Sequence, residues 1–280
     1  MERIKEAIEK AKAAQKDAGP TDNNLSVQTS NPPGILSELE STAIKVESST
    51  VIAPIQYKHT RVVDLNARHL EAHRIISFTK TDARTSSFDR LRTQLMQKMK
   101  ENSWRTLAVT SPTAGCGKTT LAINLSMSIA HQTEQTVLLA DLDLRNPKLA
   151  SYLGLQVSTS LTDYLNDDAE LFEVFVNPNI PRLTLLPNHK SITNAAEVIM
   201  TSKMKALVTD MRNRYETRMV IFDLPALLTT DDALAFLPHV DCVLMVVENG
   251  VSTKSQIRDS FRLLQNTPVL GTVLNKAERL

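Results

Sequence analysis

Thr106–Thr120 reads T-L-A-V-T-S-P-T-A-G-C-G-K-T-T, and the reading of this 280-residue chain turns on it. Thr106–Thr110 is a short apolar and β-branched run, the composition of a buried strand. A turn carrying Pro112 and Gly115 follows, and Gly117-Lys118-Thr119 opens an apolar-periodic segment that runs to His131. Strand, glycine loop and helix in that order predict a phosphate-binding loop. Gly115 and Gly117 lack a Cβ, so the backbone N–H groups of Thr113, Ala114, Gly115, Cys116, Gly117, Lys118, Thr119 and Thr120 can approach phosphate oxygens closely. The helix N-terminus adds its partial positive charge. Lys118 is placed for the β and γ phosphates, and the Thr119 hydroxyl for a magnesium ion.

The loop stands out against its background. The chain has seven glycines, about a third of the usual roughly 7 %, and two of them fall here. A dinucleotide fold would require glycine at position 120, where this chain has Thr120. Pro112 replaces the first glycine of the standard triphosphate pattern, so the loop is a variant.

Bulk properties narrow the class. Charged residues make up 22 % and the net charge is +1, which provides no basic field for nucleic acid. No secretory signal is evident, and the longest apolar runs fall far short of the ~20 residues of a membrane span. Two cysteines, Cys116 and Cys242, make no disulfide framework and fit a reducing cytosol. Residues 1–17 carry Ile4, Ile8 and Ala11 at helical spacing and predict a short amphipathic helix. Residues 18–60 are dominated by Ser, Thr, Asn and Pro without a period and predict a disordered linker. The remainder, 61–280, is expected to form one P-loop domain.

Within that domain Val63–Ile76 has a loose helical rhythm, with His69 and His73 as a solvated pair. A helix starts at Thr85 or Ser86, with Asp89 placed for a capping box. Further strands are expected at Thr136–Ala140, Leu183–Leu186, Met219–Phe222, Cys242–Val247 and Val269–Leu274. Helical patterns at Leu161–Leu165, Ala195–Tyr215, Asp231–Leu237 and Lys254–Leu264 alternate with them. Strands apolar on both faces between helices predict an α/β fold: a doubly wound, mainly parallel sheet with helices on both faces. Its ligand edge gathers the loop, Asp141, Asp143, Asp223 and Asn275. Asp223 follows four apolar residues and can orient a magnesium ion. In Asp141-x-Asp143-x-Arg145 alternate residues share a face. One acid is available to a metal, the other to a proton, and Arg145 to charge on a transferred phosphoryl group.

Three segments together, S-P-T-A-G-C-G-K-T-T, V-L-L-A-D-L-D-L-R-N-P and M-V-I-F-D-L-P, resemble the Walker-type motifs of the bacterial tyrosine kinases, the autokinases of polysaccharide biosynthesis. The resemblance covers roughly residues 84–278. It implies a MinD/ParA-like P-loop fold, ATP and Mg2+ as cofactors, and tyrosine autophosphorylation within a homo-oligomer. It also implies exopolysaccharide biosynthesis beside a membrane-bound chain-length regulator, to which a cytoplasmic protein would be recruited. By position it gives Thr119, Asp141 and Asp223 to the metal, Asp141 and Asp143 to the metal and base pair, and Asn275 to the adenine. The family's ring-assembly motif falls on Ser86, Asp89 and Arg92, changed at two of three positions. The tyrosine-rich tail is replaced by four scattered tyrosines, of which Tyr57 in the linker is the expected acceptor. The competing reading is a non-kinase ATPase switch of the MinD/ParA type, although Thr113 stands where such proteins carry a second lysine. GTP is disfavoured by Ala226 and Glu278 at positions where a GTPase needs other residues. A scaffold that binds ATP without hydrolysing it is the third possibility.

Overall fold

A computed structural model describes residues 60–277 except 81, 133 and 216. The expectations for residues 1–59, including the first helix, nearly all of the linker and Tyr57, lie outside the described residues.

The first strand is a two-residue piece, β1 (Arg61–Val62), and a short helix, α1 (Ala67–Ala72), follows. Helix α2 (Ser86–Glu101) leads through Trp104 into β2 (Thr106–Thr110), and α3 (Lys118–Ala130) follows the glycine loop. Then come β3 (Thr136–Asp141), α4 (Leu149–Leu153), α5 (Leu161–Leu165), β4 (Val176–Asn177) and β5 (Leu183–Leu186). The last third comprises α6 (Ala195–Ile199), α7 (Ser202–Asn213), β6 (Arg218–Asp223), α8 (Asp232–Phe236), β7 (Cys242–Glu248), α9 (Lys254–Leu263) and β8 (Val269–Asn275).

The strands form one sheet in the order β1-β4-β5-β3-β6-β2-β7-β8. Every neighbouring pair is parallel except β4 with β5. Successive strand residues alternate between two cores, as a sheet covered on both faces requires. Leu107, Val109, Leu139, Ile221 and Leu244 pack on one side with α2 and α3. Ala108, Leu138, Phe222, Val243 and Met245 pack on the other with α7 and α8. The two-layer cover bears out the α/β expectation.

Helix α3 is the most enclosed helix among the described residues. Every residue from Leu121 to Ala130 is buried, which explains a sequence with no charge after Lys118. Its buried polar side chains, Lys118, Thr119, Asn124, Ser126 and Ser128, each have a partner. Asn124 accepts from the amides of Ile76 and Ser77 and donates to the carbonyls of Arg74 and Thr120. That one amide fastens segment 74–77 to the helix.

Several local expectations need correction. The capping box at Asp89 is absent: Thr85 ends a 3-10 turn in helical conformation and makes no side-chain cap. Asp89 instead joins Arg92 (2.7 Å) and the hydroxyl of Ser128 (2.8 Å). The single helix expected over Ala195–Tyr215 is two, because Thr201 turns extended and caps α7 through the amide of Met204. The loose rhythm of Val63–Ile76 yields only the six residues of α1, capped by Asn66. His69 and His73 stack at 4.3 Å between ring centroids, and His69 Nε2 lies 2.8 Å from the carbonyl of Ser151. Among the described residues no helix is long and apolar enough to cross a membrane.

Candidate functional site

Because β3, β6, β2, β7 and β8 are parallel, their C-terminal ends meet along one rim. The loop after β2 lies at this rim. Gly115 (φ +86°) and Gly117 (φ +90°) both adopt the left-handed conformation, for different reasons. Open space surrounds Gly115, so only its backbone angle demands glycine. At Gly117 a Cβ would also lie 2.3 Å from Nδ2 of Asn275. That Asn275 amide donates to the carbonyl of Cys116 at 2.8 Å, so the end of β8 braces the loop. Ser111 Oγ donates to the Thr113 carbonyl at 2.7 Å, fixing the loop's other limb. Ala114 and Gly115 are exposed, while Cys116 is buried with Sγ near the hydroxyls of Thr113 and Ser252.

The acids surround Lys118 at the start of α3. Asp141 and Asp223 are register partners on adjacent strands, so their like charges sit side by side at the rim. Burial, then the neighbouring Asp223, pushes the Asp141 carboxyl well above the usual carboxylate range. Asp141 still accepts from the amides of Lys148 (3.0 Å) and Leu149 (2.9 Å), where α4 begins. Burial likewise pushes Asp223 up to about 6, with Lys118 and the Thr119 hydroxyl pulling the other way. Lys118 Nζ lies 3.3 Å from Asp143 Oδ2. Burial alone would depress the ammonium, and Asp223, Asp143 and Asp141 together more than offset it.

Two observations bear on a cation. Thr119 Oγ1 donates to Asp223 Oδ2 at 2.6 Å, while Asp223 Oδ1 is buried without a hydrogen-bond partner. An orphaned acceptor in a carboxylate-rich rim is what a divalent ion would relieve. Among the described residues no three His, Cys, Asp or Glu side chains form a ready metal cage. That fits magnesium, which takes one or two carboxylates and completes its shell with substrate phosphates and water.

The guanidinium of Arg145 is held by residues outside this acid cluster. It forms a bidentate pair with Asp232 (2.7 and 3.1 Å) and donates to the carbonyl of Thr193. Asp232 is 1 % exposed and also accepts from Thr230 Oγ1 at 3.0 Å. Asp232 lies 87 residues from Arg145, and nothing local in the sequence marks it.

The sequence matches the family described as AAA domain over residues 104–266, more than half of the chain. The chain belongs to the AAA domain family. Relatives are named tyrosine-protein kinases. The putative tyrosine-protein kinase EpsB of Ralstonia nicotianae is 28 % identical over 240 residues, 84 % of this chain and 31 % of that protein. The tyrosine-protein kinase CpsD of Streptococcus agalactiae is 26 % identical over 192 residues, 68 % of this chain and 82 % of that one. The chain thus spans about a third of the Ralstonia relative's length. The kinase domain of the Escherichia coli tyrosine kinase ETK superposes with TM-score 0.68 at 23 % identity, covering 81 % of this chain and 91 % of that one. MinD of Pyrococcus horikoshii with Mg-ADP gives 0.54 at 23 %, covering 63 % and 72 %. Both share the fold.

Proposed function

We propose that this AAA domain chain is a Mg-ATP-dependent protein-tyrosine kinase that serves exopolysaccharide biosynthesis or its regulation. The observation that carries the reading is the loop itself: a left-handed glycine pair, a buried lysine among three acids, and a threonine beside a half-satisfied aspartate. Kinship with the named kinases of Ralstonia and Streptococcus supports it.

When bound, Mg-ATP supplies the transferable phosphoryl group and the charge that makes it electrophilic. The chain's own residues do the rest. The amides of residues 113–120 and the Lys118 ammonium, which stands beside Asp143, would bind the phosphates. Thr119 and Asp223 would hold the metal with Asp141 beside them. Asp143, beside Lys118, would take the proton of an attacking tyrosine hydroxyl. Asn275 positions the loop through the carbonyl of Cys116 and would flank the adenine. Arg145 serves as a strut, since Asp232 and Thr193 occupy its guanidinium. Among the described tyrosines Tyr152 and Tyr164 are half-buried and Tyr215 is 49 % exposed, and Tyr57 remains our proposed acceptor. A membrane-bound chain-length regulator is the proposed partner and would bring the protein to the inner face of the membrane.

The test incubates the purified chain with Mg-ATP and follows phosphate release and phosphotyrosine, with Lys118→Ala as control. Phosphotyrosine that vanishes in the variant supports the proposal. Phosphate release without phosphotyrosine, partner proteins included, replaces it with a MinD-like switch. Neither signal leaves a nucleotide-binding scaffold.

A further inference from the structure

A second polar cavity, of about 260 Å3, lies at the other end of α3, between that helix, α2 and the segment before α2. Its wall includes Ser77, Lys80, Asp89, Arg92, Ser128 and His131. The one acid there is already satisfied. Asp89 accepts from Arg92 Nη1 at 2.7 Å, Ser128 Oγ at 2.8 Å and Thr85 Oγ1 at 3.2 Å. Arg92 Nη1 also meets the hydroxyl and carbonyl of Ser128 at 3.0 and 3.1 Å.

The donors are not satisfied. Ser77 is 2 % exposed and its hydroxyl has no partner, and neither does Arg92 Nε, another buried atom of the same wall. Among the described residues Lys80 has no ion-pair partner. His131 Nε2 lies 2.9 Å from the carbonyl of Ser77, so that nitrogen carries the proton. The surplus is therefore of donors and of positive charge. Anions are pure acceptors, and charge-assisted bonds to Arg and Lys are the strong kind.

Size restricts the ligand further. The cavity is larger than the ~30 Å3 of one water and just under the ~300–1,000 Å3 range of small-molecule pockets. The space matches one tetrahedral group.

We propose that this cavity is an oxyanion site, for phosphate or the phosphate end of a small monoester, held by Lys80, Arg92 and the Ser77 hydroxyl. Burial first, then Lys80 and Arg92, lowers the His131 pKa, with the Ser77 carbonyl and Asp89 opposing. A bound anion offsets both cations and raises it. The site is separate from the phosphate loop, which lies at the N-terminal end of the same helix.

Amide and imidazole NMR spectra of the full chain, titrated at constant ionic strength, read both places separately. Inorganic phosphate is one probe and phenyl phosphate the other. Gly115 and Gly117 report the loop; Ser77, Arg92 and His131 report the cavity. We expect saturable shifts at the second set and an upward move of the His131 pKa. Exposed Lys80→Gln and the small change Ser77→Ala should each weaken binding about tenfold, the loss of one charge-assisted bond. Tighter binding of phenyl phosphate assigns a monoester, and equal or weaker binding assigns free phosphate. Linear, non-saturating shifts, or shifts unchanged in both variants, would overturn the proposal.

Discussion

Gly117→Ala tests the brace between the phosphate loop and β8. Two costs combine. At φ +90° an L side chain strains the backbone, and left-handed geometry costs about 1–2 kcal/mol. The new Cβ would also sit 2.3 Å from Asn275 Nδ2, which must leave the carbonyl of Cys116. A half-buried hydrogen bond of that kind contributes about 1 kcal/mol. The single change should then cost about 2–3 kcal/mol, and Asn275→Ala alone about 1. With Asn275 already removed, Gly117→Ala pays only for strain, so the pair should couple by about 1 kcal/mol. Urea unfolding of the four proteins, followed through the single tryptophan Trp104, measures this directly. Additivity within about 0.5 kcal/mol would refute the claim that the two residues contest one space.

Further outcomes follow from other contacts. Asp223, raised from 3.8 to about 6 in the folded chain, favours the protonated form there. Its contribution is full below pH 4 and declines as pH rises through 6, at most about 3 kcal/mol. In metal-free buffer Asp223→Asn should therefore flatten the fall in urea stability between pH 4 and 7, and an unchanged profile would contradict the burial argument. Arg145→Ala strands the buried Asp232 carboxylate and should cost about 3 kcal/mol. Arg145→Ala/Asp232→Ala should recover part of that loss, and a double variant as unstable as the sum would exclude the pair as its cause. Asn124→Leu removes the partners of Ile76 N and Ser77 N and should cost about 3 kcal/mol. Hydrogen exchange at those two amides should accelerate; unchanged protection would disprove the tether.

What the sequence disclosed was what neighbours in the chain decide. The Gly115-x-Gly117-Lys118 loop, α5 at Leu161–Leu165 and β5 at Leu183–Leu186 follow from composition and spacing, and they stand where expected. The acids ending β3 and β6 were equally visible, because an apolar run that stops at an aspartate marks a strand leaving the core. Residues that answer to distant partners were not. Arg145 pairs with Asp232, and Asp89 with Ser128, through contacts that no window of sequence contains. Two-residue strands such as β1 and β4 are too short to show a period and exist through the pairing they join. Thr201 broke an expected helix by capping the next one, a choice that helical spacing on both sides concealed.

The Asn124 amide has a mechanical consequence. By closing both directions of the 74–77 backbone onto α3, it makes that stretch travel with the helix instead of with the chain around it. The helix is 13 residues long, a rod of about 20 Å. A few degrees of tilt at its glycine end would reach the far end as a changed gap between Ser77 and its surroundings.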